Sequence, residues 1–274
     1  MNFSGYDARM ALSATPPASA PAPCSGCRDG AELGFAFSMA FQPIVDIVTG
    51  TPFAYEALVR GPNGEGAASI LSQVSDTNRY AFDQQCRVRA ISVAAAAGLI
   101  DTGARLSINF LPNAVYSPAA CIQLTLKTAK AVSFPTDRLI FEFTENERMA
   151  DPAHVANIIA SYRKMGFGTA LDDFGSGHAG LNLLAQFQPD IIKLDMDLIR
   201  NLDTSLPRRT IVNSVVKMCA ALGITVIAEG IETVGELEAL RAMDVRYIQG
   251  FLLAKPGFET LPPVAFDVTA EVSA

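Results

Sequence analysis

Two adjacent carboxylates stand out in the run Leu171-Asp172-Asp173-Phe174-Gly175-Ser176-Gly177. The residues before them, Phe167-Gly168-Thr169-Ala170-Leu171, read as a strand, and the glycines after them force a turn. Side chains alternate along a strand, so only a kink at its end lets both carboxylates serve one site. Two acids at the mouth of a buried strand are costly unless something positive compensates them. A pair of divalent cations does this, because one carboxylate can bridge both ions. A lone Asp-Asp is more often a solvated turn. What gives this one chemical weight is that other strand ends offer matching groups: Glu56, Asn109, Glu142, Lys193, Glu229 and Gln249. All the ligand atoms in this set are oxygen, and neither histidine falls at a strand end, which favours Mg²⁺ or Mn²⁺ over zinc or copper.

The elements that must position these groups follow from the patterning. Phe37 to Asp46 reads as a strand, and the connection to the next, Phe53 to Arg60, is too short for a crossover helix, so that pair is antiparallel. A regular alternation follows. Strands are expected over Arg105–Leu111, Leu139–Phe143, Phe167–Asp172, Ile191–Asp195, Ile224–Ala228 and Val245–Leu253. Helices are expected over Arg79–Leu99, Asn113–Ala131, Asp151–Met165, Ser176–Gln186, Pro207–Leu222 and Val234–Ala242. About eight strands with helices between most of them give an α/β fold, a modified TIM (β/α)8 barrel with an antiparallel first strand. In such a barrel the strand ends converge on one face, where active sites lie.

Composition agrees with this reading. The chain has 274 residues, half of them apolar, and a formal charge of 21 − 28 = −7. That balance argues against affinity for a nucleic-acid polymer. No run of about eighteen apolar residues marks a membrane span. The absence of an apolar leader and the odd count of five cysteines point to a cytoplasmic protein. Residues 1–30 read as a flexible Pro/Ala-rich tail ending in Cys24-Ser25-Gly26-Cys27, and residues 31–274 as the barrel. A single Cys-x-x-Cys is half a zinc site or a redox pair, and no second pair follows at zinc-finger spacing.

The blocks around these strand ends resemble those of EAL domains, the cyclic di-GMP phosphodiesterases. They are Phe41-Gln42-Pro43-Ile44-Val45, Tyr55-Glu56-Ala57-Leu58-Val59-Arg60, Ile108-Asn109-Phe110-Leu111-Pro112, Glu142-Phe143-Thr144-Glu145, Asp172-Asp173-Phe174-Gly175, Ile192-Lys193-Leu194-Asp195, Ala228-Glu229-Gly230-Ile231-Glu232 and Gln249-Gly250-Phe251. The resemblance runs from about Phe37 to Pro256. It implies that Glu56, Asn109, Glu142 and Asp172 hold one metal, and that Asp172 bridges to a second held also by Asp173. It makes Lys193 the group that positions or deprotonates the attacking water, with Glu229 and Gln249 ordering that water. Gln42, Leu58 and Arg60 would contact the dinucleotide, and Glu145 would anchor the loop after Asp173, which links site and dimer interface. The implied reaction is hydrolysis of cyclic di-GMP to linear pGpG by in-line attack of a water activated by two Mg²⁺ or Mn²⁺ ions.

The loop Gly175-Ser176-Gly177-His178-Ala179-Gly180 departs from the family pattern, which more often has Thr at Ser176 and Tyr-Ser after the second glycine. A homodimer and a regulatory partner protein are further expectations. Three rivals are weighed: a catalytically silent EAL-like receptor of cyclic di-GMP, a barrel aldolase using Lys193 as a Schiff-base amine, against which the surrounding carboxylates argue, and an interaction module whose tail makes it mainly an adaptor gated by a partner.

Overall fold

The structure is a computed structural model that describes residues 33–112, 115, 117–144, 152–177 and 180–264. The tail with Cys24 and Cys27, the loop anchor Glu145, and His178 lie outside the described residues. Among the described residues nine strands run in chain order: β1 (Ser38–Asp46), β2 (Thr51–Arg60), β3 (Arg105–Asn109), β4 (Leu139–Thr144), β5 (Gly168–Phe174), β6 (Ile191–Leu194), β7 (Thr225–Ala228), β8 (Tyr247–Ile248) and β9 (Gly257–Phe258). From β2 to β8 each pairs in parallel with the next. Strand β1 lies antiparallel to both β2 and β8 and closes the barrel. The short β9 covers the rest of the edge of β1, at Ala40 and Phe41.

The β1–β2 hairpin has only four residues between its strands, and Gly50 adopts φ 69° to close it. Below it, Arg246 grips Asp46 with both Nε and Nη2, at 2.9 and 2.6 Å, and ties β1 to the start of β8. The helices Arg79–Ala96, Gln123–Ala131, Pro152–Lys164, Leu206–Leu222 and Val234–Arg241 cover the outside. Apolar side chains between them and the sheet form one continuous core. A second, smaller cluster fills the barrel itself: Ile44, Ala54, Ile140, Ala170, Ile191 and Ile227.

Element by element, three expectations need correction. The final strand shrinks from Val245–Leu253 to Tyr247–Ile248. The chain turns after Gly250, where Leu253 N and Ala254 N both donate back to the Gly250 carbonyl, at 3.1 and 3.2 Å, and only glycine fits at 250 because a Cβ would meet the backbone of Ile231. Of the expected helix over Asn113–Ala131, the start falls partly outside the described residues; the described part begins with Pro118 in its first turn and is two helices, Pro118–Cys121 and Gln123–Ala131, that meet at Ile122. Strand β5 extends through both aspartates to Phe174 instead of ending at Asp172. Helices Ala67–Leu71 and Met196–Ile199 carry too little periodicity to be read from sequence.

Candidate active site

Each member of the small inner cluster has a polar residue two positions further along its strand. Ala54 precedes Glu56, Ile140 precedes Glu142, Ala170 precedes Asp172, Ile191 precedes Lys193, and Ile227 precedes Glu229. On β1, which runs the other way, Ile44 follows Gln42 by the same step. Two residues along a strand return the side chain to the same face. The polar groups therefore form the next layer of the barrel interior, directly above an apolar floor. Glu56 and Glu142 accordingly sit within β2 and β4, a few residues before those strands end.

The two aspartates are separated by the kink that their sequence demands. Pairing of β5 with β6 passes from Leu171 opposite Ile192 to Phe174 opposite Leu194, so β5 carries one extra residue, a bulge. Asp173 occupies it with φ 54°, a conformation that aspartate tolerates better than most residues. Gly175 follows at φ 102°, and a Cβ there would meet Leu198 at 2.3 Å.

Lys193 is wholly buried at the centre of the layer. Its Nζ lies 2.6 Å from Glu229 Oε1, 3.0 Å from Glu142 Oε2, 3.0 Å from Asp172 Oδ1 and 3.3 Å from Glu56 Oε2. Glu56 also accepts from Gln249 Nε2 at 2.8 Å and from Asn109 Nδ2 at 3.0 Å. Gln249 Nε2 reaches Gln42 Oε1 at 3.3 Å, and Gln42 Nε2 donates to the Ala254 carbonyl at 3.2 Å. Ser107 Oγ donates to Glu142 Oε1. Sequence reasoning missed Ser107, although its place two residues before Asn109 on β3 puts it on the same face.

Five carboxylates thus face one ammonium. Burial opposes the charge on Lys193, but Asp172, Glu142, Glu229 and Glu56 outweigh it and hold its pKa well above the ordinary lysine range. Burial pushes Glu142 up to about 8, with Glu56 and Asp172 adding to the rise. Burial, then repulsion from Asp172 and Asp195, lifts Asp173 to about 6. Glu229 and Asp172 are raised by burial too. For Glu56, burial is overcome by Lys193, Gln249 and Asn109, and its pKa falls.

Two overlapping sets have the spacing of metal ligands. In Glu56, Glu142 and Asp172, and again in Asp172, Asp173 and Glu229, one oxygen from each residue lies within 4.8 Å of the others. Asp172 belongs to both. Its buried Oδ1 is near Nζ yet off any hydrogen-bonding direction, and Gln249 Oε1 also lacks a hydrogen-bond partner. Surplus buried negative charge, oxygen-only donors and orphaned acceptors fit two hard divalent cations. Asn109 turns its amide nitrogen, not its oxygen, towards Glu56, and only a half-turn of the amide plane would bring the oxygen to the first set.

The site opens through a cavity of about 280 Å³, rimmed by Asp173, Asp195, Met196, Glu232 and Phe251. Leu58 and Arg60 do not line it. They line a neighbouring, mostly apolar cavity of about 310 Å³ that touches the polar layer at Asn109.

The raised carboxylates make a prediction about stability. A carboxylate whose folded pKa is raised binds more protons folded than unfolded, so its contribution to stability falls as pH rises from the ordinary carboxylate range to the folded pKa. For Asp173 and Glu142 that window closes at about 6 and about 8. The chain in EDTA should melt at a lower temperature at pH 8 than at pH 6. Added Mn²⁺ should raise the melting temperature more at pH 8; equal increments at both pH values would contradict the charge balance described above.

A family profile described as "EAL domain" matches residues 32–256. The blue light- and temperature-regulated antirepressor BluF of Escherichia coli is 34% identical over 227 residues, which cover 83% of this chain and 56% of BluF. The cyclic di-GMP phosphodiesterase PA2567 of Pseudomonas aeruginosa is 29% identical over 242 residues, 83% of this chain and 39% of that protein. This chain therefore spans only part of the length of those curated relatives. A standalone versatile EAL protein from Vibrio cholerae O395, solved with c-di-GMP bound, superposes with a TM-score of 0.84 at 50% identity, covering 88% of this chain and all of that one. BlrP1 of Klebsiella pneumoniae, solved with manganese and cyclic di-GMP, gives a TM-score of 0.76 at 34% identity, over 82% of this chain and 57% of that one. Among the described residues no helix is long and apolar enough to cross a membrane. The barrel, the block pattern and the profile match agree: the chain belongs to the EAL domain family.

Proposed function

We propose that this chain hydrolyses cyclic di-GMP to linear pGpG in a reaction that depends on two divalent cations, Mg²⁺ or Mn²⁺. The observation that carries this reading is Asp172, shared between two sets of carboxylates with the Lys193 ammonium against both. Glu56, Asn109, Glu142 and Asp172 would hold one ion, and Asp172, Asp173 and Glu229 the other. Bound there, the ions would supply Lewis-acid chemistry, neutralising the phosphodiester and lowering the pKa of the attacking water. Lys193 Nζ orients that water and takes part in moving its proton, because cations replacing the surrounding protons weaken the hold of the carboxylates on the ammonium. Glu229 and Gln249 order the same water.

Gln42 and Phe251 face the acidic cavity, and Leu58 and Arg60 the apolar one. The dinucleotide would lie across both, so that each base finds an apolar wall and Arg60 a phosphate. Phe251, 54% exposed at the rim, offers a ring face for stacking. Residues 31–274 act as one barrel with 1–30 appended, a division supported by the profile match beginning at residue 32. In the same reading Glu145 anchors the loop after Asp173, the chain works as a homodimer under a regulatory partner, and the compartment is the cytoplasm, in keeping with the thiols of Cys86 and Cys219.

Pure protein with cyclic di-GMP should yield pGpG on chromatography with Mn²⁺ or Mg²⁺ and none in EDTA. The name of BluF as an antirepressor favours a second reading, a receptor that binds the dinucleotide without cleaving it. Binding without product at saturating metal would select it. The aldolase reading loses its support: an ammonium paired with four carboxylates is no free amine nucleophile.

A further inference from the structure

We infer that Asp83, locked by Arg87, is a positioning residue for the end of β3, and that it keeps open the wedge in which Leu58 and Arg60 lie. The ladder between β2 and β3 runs only from Ala54 opposite Arg105 to Ala57 opposite Ile108. Beyond it β2 continues to Arg60, while the chain of β3 stays with β4, where Phe110 N donates to the Glu142 carbonyl at 2.9 Å. The strands part, and the apolar cavity of about 310 Å³ occupies the gap, with Leu58 and Arg60 on one wall and Asn109 and Leu111 on the other.

Successive N–H groups of an extended chain point to opposite sides. With Phe110 N turned to β4, Leu111 N faces the side that β2 has left. Asp83, on the helix Arg79–Ala96, meets it there: Oδ1 accepts from Leu111 N at 2.9 Å. Its other oxygen, Oδ2, accepts from Arg87 Nη2 at 2.6 Å. Both side chains are buried, Asp83 at 3% exposure and Arg87 at 0%. A buried charge pair is a weak source of stability, since well-packed apolar residues often do as well. What apolar residues cannot do is accept the Leu111 N–H. That bond fixes the chain two residues past Asn109, whose amide faces Glu56, and it sets the width of the wedge.

The inference uses the phosphodiesterase reading for one of its measurements, and two double variants isolate the acceptor. Asp83→Leu with Arg87→Met removes the charge pair and the acceptor together. Asp83→Asn with Arg87→Met removes the charges and keeps an oxygen for Leu111 N–H. The Leu variant should fold but melt somewhat below the Asn variant, since the Leu111 N–H loses its acceptor, and show a KM for cyclic di-GMP raised about tenfold, with kcat within about threefold and Mn²⁺ affinity weakened several-fold. The Asn variant should return KM and Mn²⁺ affinity to near wild-type values. Identical KM and Mn²⁺ affinity in the two would overturn the inference. Should either fail to fold, hydrogen exchange on the unaltered chain decides: the Leu111 amide should exchange slowly in EDTA, and exchange as fast as that of an exposed loop would overturn it. Mn²⁺ titration and exchange need no turnover, so a wild-type chain that binds but does not cleave removes the hydrolase reading and leaves this one standing.

Discussion

Asp172→Asn should cost at least about a thousandfold in kcat/KM, because it removes the one charged group common to both ligand sets and with it the electrostatic field on the reacting phosphodiester. The same substitution should make the metal-free chain more stable. Burial and neighbouring Glu56 outweigh Lys193 and raise the pKa of Asp172, so the folded state disfavours the charged carboxylate that an amide replaces. Melting in EDTA at pH 8 should therefore rise above the wild type. Mn²⁺, expected to raise the melting temperature of the wild type, should do much less for the variant. Stability gained where activity is lost is the mark of a site whose charges serve a ligand. A variant that melts lower than wild type in EDTA would mean that Asp172 is held chiefly by its ion pair with Lys193.

Lys193→Met should behave in the opposite way. Without metal, the ammonium is the one cation that the described residues place against Glu56, Glu142, Asp172 and Glu229, and deleting one side of a buried pair costs about 3–5 kcal/mol. Carboxylates that can take up protons soften that loss, so it should be larger at pH 8 than at pH 6. Mn²⁺ should restore the melting temperature, since cations replace the missing charge. It should not restore turnover: kcat should stay about a hundredfold or more below wild type with KM nearly unchanged. Equal losses in kcat and in substrate affinity would assign Lys193 to binding instead of to the water.

The sequence made the barrel and most of the site legible because both rest on a period of two. The apolar-then-polar step from Ile140 to Glu142, or from Ile191 to Lys193, is visible in the chain itself. The kink between Asp172 and Asp173 was demanded by alternation alone, and the structure has it as a bulge with Asp173 at φ 54°. What stayed hidden depends on contacts between distant segments. Ser107 looks like any small strand residue until Glu142 is placed beside it. The early end of β8 goes with a turn over Gly250 to Ala254 packed against Ile231, a contact between distant segments that no local pattern encodes. The separation of Leu58 and Arg60 from the acidic cavity depends on how far two strands part, and spacing along one strand says nothing of that.

The apolar plug of Ile44, Ala54, Ile140, Ala170, Ile191 and Ile227 has a consequence for traffic. Among the described residues it closes the barrel from beneath, so whatever binds the polar layer has to enter from above it. On the hydrolase reading, a linear product would leave by the side on which the next cyclic molecule arrives, and its departure would slow each cycle.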